Sequence, residues 1–335
     1  MKKRVILPRD ELPHNNQAIE WWYFNGFLNG NENKYAFMTC LFKADKEKVN
    51  LPFLKIPTKQ IFFAHTLLYN LTKNKVEKEI LPFVWVSEDS FTKKELFINY
   101  TFLLRKNFFN YEIARFNKTF HIKTRFFDLH ANEIKKPLLE GGNGFLDLKT
   151  KTTYYYTYPR LKIEGYVGKE KVEGIAWHDK QWSKEGFMQD HWLWFSLQLP
   201  NNLDIVCFDY KGTKMATISY KNNKQETVPV EFISQNKNWK SPRTGITYPL
   251  SWKIKIKDMI IETNPILNDC EMNHGFISYW EGPVQLKFEG KKAFGFMELL
   301  AEQPKKSRLD ISKKFKDISN SVKQTTDFLS QLRNQ

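Results

Sequence analysis

Apolar and polar positions alternate along most of the chain, and this pattern predicts short β-strands rather than helices. The clearest case is Tyr154–Trp182, in which the first three alternate positions are tyrosines and share one face. The Gly-Lys pair at 168–169 predicts a turn between two antiparallel strands. Gly165 and Gly174 lie inside those strands, where a glycine marks a bulge or the close approach of another backbone.

An aromatic hairpin opens the N-terminal part of the chain. Glu20–Lys43 contains two predicted strands, and Asn29-Gly30 is a favoured turn pair between them. Both faces of the first strand are largely apolar, which is typical of a barrel wall covered on both sides. Further strands are predicted at Ile61–Tyr69, Phe83–Val86, Phe97–Arg105, Tyr111–Phe116 and Phe120–Leu129.

A second series of strands follows a polar connector. Leu193, Phe195, Leu197 and Leu199 form an apolar face, and Trp192, Trp194, Ser196 and Gln198 form the opposite face. Two indoles with a hydroxyl and an amide are typical of a cavity wall rather than a solvated surface. Further strands are predicted at 203–210, 215–220, Ile254–Ile261, Gly275–Glu281, Val284–Phe288 and Ala293–Leu300.

The pattern therefore predicts an all-β protein with two similar barrels. We place an N-terminal barrel at 1–185, a C-terminal barrel at 186–303 and a separate element at 304–335. In that last part, Leu309–Leu332 has apolar residues at steps of three and four, which predicts an amphipathic helix. The helix would dock on a barrel or form a short dimer seam, so the chain is expected to be a monomer or a homodimer.

Composition narrows the class of partner. The 335 residues are 16% aromatic and carry a formal charge of +15. Lysines are spread along the chain rather than clustered, which argues against specific nucleic-acid binding, and the charge with the C-terminal helix leaves peripheral membrane contact as a weaker alternative. Three scattered cysteines, the short N-terminal apolar run and the lack of a 20-residue apolar stretch favour a cytoplasmic protein.

No motif for metal or hydrolytic chemistry is present. The histidines show no HxH or HxxxH spacing, and no Cys-x-x-Cys pair exists, so no metal is expected. The chain also lacks a Gly-x-Ser-x-Gly elbow and a glycine-rich phosphate loop. We therefore expect no cofactor.

Five segments resemble the lipocalin-like family of carotenoid 1,2-hydratases, also called hydroxyneurosporene synthases, and AttH-type proteins. Fungal polyketide Diels–Alderases are distant relatives of that family. The resemblance covers roughly residues 10–300. The segments are Glu20–Gly26, Tyr158–Arg160 with Gly165 and Gly174, Ala176–Trp182, Trp192–Phe195 and Tyr279–Val284.

This resemblance implies two lipocalin-like β-barrels with a pocket for an apolar small molecule near their junction. The family block usually reads Trp-Met-Asp-His-Glu-Trp, and the hydratases use its His and its second Trp with an acid downstream. Here Trp182 matches that Trp, whereas Lys180 replaces the His and His178 stands two positions earlier on the same strand face. These departures indicate a conserved fold with a changed reaction.

Asp179 is the favoured catalytic acid, because a buried carboxyl group between two indoles can donate a proton and aromatic faces can stabilise a cation. His178 would tune it, and Asp209 is the candidate for the downstream acid. The structural alternative for Asp179 is a carboxylate that accepts backbone N–H bonds at the domain junction or pairs with Arg160. The structural alternative for Asp209 is an exposed Asp just before the turn at 211–212. The predicted ligand-binding residues are Glu20, Trp22, Tyr156, Tyr158, Trp177, Trp182, Trp192, Trp194, Tyr210, Trp280 and Glu281.

We thus expect a cofactor-independent enzyme of terpenoid, polyene or polyketide biosynthesis. It would bind an apolar unsaturated substrate between the barrels and catalyse proton-assisted hydration, isomerisation or cyclisation. The alternative is a carrier for a lipid or pigment, which would account for the aromatic residues without any chemistry.

Overall fold

The structure, a computed structural model, describes residues 3–48, 59–104, 107–186, 191–273 and 278–301. The helix predicted at Leu309–Leu332 lies outside the described residues. None of the described helices has the length and apolar character needed to cross a membrane. The described helices are short 3-10 turns at Arg9–Glu11, Glu88–Phe91, Glu140–Gly142 and Pro200–Asn202.

The first sheet is antiparallel and has the strand order β4-β3-β2-β1-β13-β12-β9-β8-β7-β6-β5, with β10 and β11 also paired to β12. It takes all of its strands from the N-terminal part of the chain. Their bounds are β1 Ile19–Gly30, β2 Lys34–Asp45, β3 Gln60–Asn70, β4 Lys75–Leu81, β5 Trp85–Val86, β6 Phe97–Leu104, β7 Asn107–Phe116, β8 Thr119–Lys123, β9 Phe127–Glu133, β10 Leu138–Leu139, β11 Phe145–Asp147, β12 Thr152–Val167 and β13 Glu170–Ser183.

The second sheet has the order β17-β16-β15-β14-β25-β24-β22-β21-β18, with β23 also paired to β24, and β19 and β20 form a separate small hairpin. Both large sheets are curled half-barrels, so the predicted all-β fold with two lipocalin-like barrels is confirmed. The strands of the second sheet and of the small hairpin are β14 Trp192–Leu199, β15 Leu203–Tyr210, β16 Thr213–Ser219, β17 Gln225–Val228, β18 Glu231–Ser234, β19 Asn238–Lys240, β20 Thr247–Pro249, β21 Trp252–Ile256, β22 Met259–Pro265, β23 Glu271–Asn273, β24 Ser278–Phe288 and β25 Lys291–Leu300.

The first hairpin turns later than the sequence predicts. β1 continues through Asn29 and Gly30, and Asn29 pairs with Lys34 across the hairpin. The backbone N–H of Gly30 donates to the carbonyl of Asn33 at 2.8 Å, which closes the loop. The favoured turn pair at 29–30 therefore ends the strand instead of forming the turn.

Two predicted strands are each a hairpin in the structure. Phe120–Leu129 is divided between β8 and β9, and Ile254–Ile261 between β21 and β22. Lys257, at the second of these turns, has a positive φ of 53°. In contrast, the strand predicted at Val284–Phe288 is joined in β24 to the described part of the strand predicted at Gly275–Glu281, and β24 runs through Pro283 without interruption. Residues 275–277 lie outside the described residues.

Apolar side chains form three buried clusters. One fills the concave side of the first sheet and contains Trp22 and Phe24. A second fills the second sheet and also takes Tyr23 from the outer face of β1. The third lies between the sheets and contains Trp177 and Phe208. Because strand side chains alternate, β1 and β13 contribute to the clusters on both of their faces.

Candidate active site

Side chains alternate in direction along β13, so the residues of the Trp177–Trp182 block lie in two environments. Trp177 and Asp179 point out of the first sheet towards the second. His178, Lys180 and Trp182 point into the interior of the first sheet. The block is therefore two half-sites that share one strand, rather than a single cluster.

Asp179 is 3% exposed and accepts hydrogen bonds from three side chains. The Tyr155 hydroxyl donates to Oδ2 at 2.5 Å, the Trp177 indole donates to Oδ1 at 2.7 Å, and the Thr157 hydroxyl also donates to Oδ1. Burial raises the pKa of Asp179 to about 7, because loss of solvent outweighs these three donors. The carboxyl group can therefore gain or lose a proton near neutral pH.

Strand register places Asp179 in a row of polar side chains. Thr157, Asp179 and Tyr23 lie opposite one another on β12, β13 and β1. Tyr23 lies opposite Cys40, and Cys40 lies opposite His65 on β3. This row faces the second sheet.

The facing row on the second sheet contains two glutamates, of which Glu281 is buried and Glu298 is half-buried. Trp194, Glu298 and Glu281 lie opposite one another on β14, β25 and β24. The Tyr23 hydroxyl donates to Glu281 Oε1 at 2.7 Å, and the Trp192 indole donates to Glu298. Tyr23 therefore links the two rows directly.

Burial raises the pKa of Glu281 well above its usual value, and the adjacent Glu298 charge raises it further. The pKa of Glu298 is also raised by burial. Two hydrogen-bonded carboxyl groups cannot both ionise readily in such a site, so the pair retains a proton. We call Asp179, Glu281 and Glu298 the acid cluster.

A further buried carboxyl group, that of Glu140, adjoins this cluster. Glu140 is 0% exposed, and burial raises its pKa well above the usual value. The Thr157 hydroxyl lies 3.4 Å from Glu140 Oε1 and also contacts Asp179. Among the described residues, Glu140 Oε2 has no hydrogen-bond partner. The Trp194 indole N–H donates a hydrogen bond to the Tyr155 hydroxyl at 2.8 Å, so Trp194 also lies next to this group of side chains.

His178 lies apart from Asp179, on the interior face of β13. Its ring stacks on Phe24 with a centroid distance of 4.1 Å, and Nδ1–H donates to the carbonyl of Tyr23 at 2.9 Å. Burial lowers the pKa of His178 to about 3, so the ring is neutral. No group in the described part of the chain forms a hydrogen bond with its Nε2. The structure places no contact between His178 and Asp179, which corrects the expectation that His178 tunes the acid.

Lys180 and Glu20 form a buried ion pair in the same interior. Lys43 also contacts Glu20, with Nζ 3.1 Å from Oε2, and His14 contacts Oε1 at 2.8 Å. Burial opposes ionisation of Glu20, but Lys180, His14 and Lys43 together hold the pKa of that carboxyl below its usual value. Burial lowers the pKa of Lys180 to about 8 despite the opposing charge of Glu20. Glu20 is thus an ionised partner of lysines rather than a proton donor.

Asp209 and Arg160 differ from their expected roles. Asp209 is partly exposed at the β15–β16 turn, where it accepts the backbone N–H of Gly212 at 2.8 Å and contacts Lys214. This contact matches the structural alternative of a turn residue, and it corrects the expectation of a second catalytic acid. Arg160 pairs with Asp204, with Nη2 2.6 Å from Oδ1, and not with Asp179.

The predicted ligand-binding residues occupy three places. Between the sheets lie Trp177, Trp192, Trp194, Tyr210 and Glu281. Inside the first sheet lie Glu20, Trp22, Tyr156, Tyr158 and Trp182. Trp280 is 0% exposed in the second sheet and donates to the carbonyl of Asn268 at 2.6 Å.

Sequence reasoning missed Glu140, Glu298 and Tyr155. Glu298 lies next to Leu299 in an apolar strand, and that context was a usable signal. Glu140 lies in a glycine-rich loop that predicts exposure, so its burial depends on packing against β16 and β17. Tyr155 lies on the less regular face of β12 and was not singled out.

The surface also carries a groove of about 770 Å³ at the start of β15. No member of the acid cluster borders it, so it offers no buried proton donor. Its lining residues are Asn201, Leu203, Tyr220, Lys221, Asn222 and Lys224.

Two curled antiparallel sheets with buried acids between them define a lipocalin-type double-barrel protein. The chain belongs to the AttH-like family, which it matches over residues 1–302. A curated relative, dehydratase asqC of Emericella nidulans, is 24% identical in an alignment of 205 residues. That alignment covers 52% of this chain. The chain spans 58% of the length of that relative.

Solved structures share the fold. A protein called AttH from Nitrosomonas europaea has a TM-score of 0.71 at 22% identity, with 89% of this chain and 97% of that chain covered. Kievitone hydratase from Nectria haematococca has a TM-score of 0.68 at 18% identity, covering 90% and 94%. CghA has a TM-score of 0.53 at 8% identity, covering 87% and 90%.

Proposed function

We propose that this protein is an enzyme of small-molecule biosynthesis that adds water to, or removes it from, an apolar unsaturated substrate bound at the acid cluster. The main support for this proposal is the pKa of about 7 at buried Asp179. A general acid works best when its pKa lies near the working pH, and few carboxyl groups meet that condition without burial. Acid and water suffice for this reaction, so we propose no cofactor.

In the hydration direction, the Asp179 O–H proton moves to one alkene carbon as its π electrons form the new C–H bond. The cation on the other carbon is attacked by water, whose surplus proton returns to the carboxylate. The donors Tyr155, Thr157 and Trp177 stabilise the carboxylate while it lacks the proton. The same steps in reverse give dehydration.

Aromatic side chains around the acids suit the charge that develops. Trp177 is buried next to Asp179, while Trp192 and Trp194 are partly exposed at the same seam. Indole faces stabilise cations, and a buried site limits side reactions with bulk water. The partly exposed indoles mark the side from which we propose that the substrate enters.

The relatives support this reaction class. One is named a dehydratase and one a kievitone hydratase, and these names describe the two directions of one type of reaction. CghA shares the same fold. Isomerisation or cyclisation would use the same proton donor without water, so the nature of the product decides among them.

The test uses apolar metabolites extracted from the protein's own host, incubated with the protein in water labelled with heavy oxygen. Mass spectrometry detects either outcome: hydration gives a product that carries the label from the solvent, and dehydration gives a product that is lighter than its precursor by one water. Asp179→Asn keeps the shape of the side chain but cannot supply the proton, so product formation should fall by about 100-fold or more. Asp209→Asn, at the partly exposed turn, is the matched control and should retain activity.

Equal activity in Asp179→Asn and the unaltered protein would exclude Asp179 as the acid. Native mass spectrometry of protein purified from its host tests the carrier alternative. A bound ligand recovered chemically unchanged after incubation, with no labelled product, would overturn the proposed enzyme.

A further inference from the structure

A second group of chemistry-bearing side chains lies on the outer face of the first sheet, on β7, β8 and β9, and includes no member of the acid cluster. His121 on β8 lies directly opposite His130 on β9. Asp128 lies two residues before His130 on β9, so it shares their face. Glu112 reaches the same group from β7. The proposed function uses none of these residues.

The potential ligand atoms are close together. One atom from each of His121, Asp128 and His130 lies within 4.8 Å of the other two. Donor atoms around a tetrahedral zinc ion, with bonds of about 2.0–2.1 Å, stand roughly 3.4 Å apart. The two imidazole rings are stacked, with centroids 4.5 Å apart and an angle of 7° between planes. Small side-chain rotations would therefore bring the three atoms to a common ion.

Glu112 supplies an independent indication of metal binding. Its Oε1 atom lies 2.6 Å from His121 Nδ1, while His121 Nε2 lies 2.6 Å from Asp128 Oδ1. A carboxylate that accepts Nδ1–H fixes the tautomer in which Nε2 presents its lone pair. Metal-binding histidines usually have such a carboxylate partner. In that tautomer Nε2 faces Asp128, the next ligand, and a metal ion bound by both would replace their present hydrogen bond.

We propose that His121, Asp128 and His130 form a binding site for a divalent transition-metal ion, with Zn²⁺ as the favoured ion. Two imidazoles and a carboxylate suit Zn²⁺ better than Ca²⁺ or Mg²⁺, which prefer oxygen ligands. The ion would link β8 to β9 at the surface and leave a fourth position open. Glu164 lies opposite His130 on β12 and is exposed, so its carboxylate could fill this position.

Ligands on neighbouring strands also explain why spacing along the chain predicts no metal. The motif HxH places ligands on one strand, whereas this site takes its histidines from two strands of a hairpin, nine positions apart. Without metal, the same residues form an ordinary arrangement in which His121 bridges two carboxylates. His130 distinguishes the two interpretations, because that ion-pair arrangement does not require it.

The experiment titrates ZnCl₂ into the full-length protein after treatment with a chelator, with isothermal titration calorimetry as the readout. We expect saturable binding of one ion per chain. His130→Ala should weaken binding by about tenfold or more, and Glu112→Gln should weaken it by roughly 10- to 100-fold. His191→Ala removes an exposed histidine elsewhere and is the matched control, with no expected change.

Co²⁺ provides a second readout, since visible absorption reports its coordination by nitrogen ligands. The band should form with the unaltered protein and with His191→Ala, and it should be lost with His130→Ala. Circular dichroism of each variant checks that the sheet is retained. The proposal is overturned if the unaltered protein binds no Zn²⁺ saturably, or if His130→Ala binds it as tightly as the unaltered protein does.

Discussion

Asp179 experiences opposing effects on its charge. Burial favours the neutral acid, whereas Tyr155, Thr157 and Trp177 favour the carboxylate. The effect of burial is the larger of the two, since the resulting pKa of about 7 lies above the ordinary 3.8. A structural carboxylate with three donors would have a low pKa instead. The balance at this residue therefore distinguishes a proton donor from an ordinary buried acceptor.

This balance predicts how the stability of the protein depends on pH. Between pH 3.8 and about 7, folded Asp179 keeps its proton while the unfolded carboxyl group loses it. The unfolded state binds fewer protons, so the free energy of unfolding falls as pH rises. The full difference corresponds to roughly 4 kcal/mol. Relative to Asp179→Asn, the unaltered protein should lose stability by up to this amount between pH 4 and pH 7.

Urea unfolding at several pH values measures this difference. Asp209→Asn serves as the control, because it makes the same chemical change at a partly exposed turn outside the acid cluster. If the difference between Asp179→Asn and the unaltered protein does not change with pH, the raised pKa is wrong.

At the scale of single residues, the sequence indicated the burial of some acids and not of others. Glu281 directly follows Trp280, and Asp179 lies between Trp177 and Trp182, so the burial of both acids was predictable. The separation of His178 from Asp179 follows from strand alternation and could also have been predicted. The pairing of Glu281 with Glu298 depends on the register between β24 and β25, which one sequence does not specify.

At the scale of elements, the long pair β12 and β13 positions the acid cluster, and its glycines permit close packing. Gly174 lies opposite Leu28 on β1 and Ile163 on β12. A Cβ atom built on Gly174 would lie 1.9 Å from the carbonyl oxygen of Phe27. Real Cβ atoms do not approach that closely, so a larger residue must displace the β1 backbone.

Gly174→Ala should therefore destabilise the protein by about 3 kcal/mol or more, because it forces the backbone of a central strand to move. Gly168→Asn is the matched control: Gly168 has φ +58° with no atom within 4 Å of a Cβ, and asparagine tolerates that conformation. Thermal unfolding compares the two. Equal melting temperatures would show that β1 and β13 are not constrained at Gly174.

The elements themselves were more predictable than their connections. Alternation identified β1, β12 and β14, which lie close to their predicted positions. The turn within Phe120–Leu129 was missed because it contains no Gly, Pro, Asn or Asp at its centre, so the apolar pattern continues through it. The split into sheets, in contrast, follows from pairings between distant strands such as β1 with β13.

At the scale of the whole molecule, a buried ionic contact joins the two sheets at one end of the seam. Asp204 on β15 is 0% exposed. Arg160 on β12 lies 2.6 Å from Oδ1, and Lys135 Nζ lies 2.9 Å from Oδ2. Lys135 also donates to the carbonyl of Ser219 at 2.8 Å. One carboxylate thus balances two cations from the N-terminal part of the chain, one on β12 and one in the loop between β9 and β10.

Asp204→Asn would leave those two cations without their counter-charge, and removal of one partner from a buried pair costs about 3–5 kcal/mol. Because Asp204 joins the sheets, we expect the loss to appear both in urea unfolding and as faster amide hydrogen exchange along β15. Glu231→Gln, which removes an exposed pair with Lys255 inside the second sheet, should cost less than about 1 kcal/mol. If the two variants are equally stable, Asp204 does not hold the sheets together, and the acid cluster depends for its geometry on apolar contacts and on the bond from Tyr23 to Glu281.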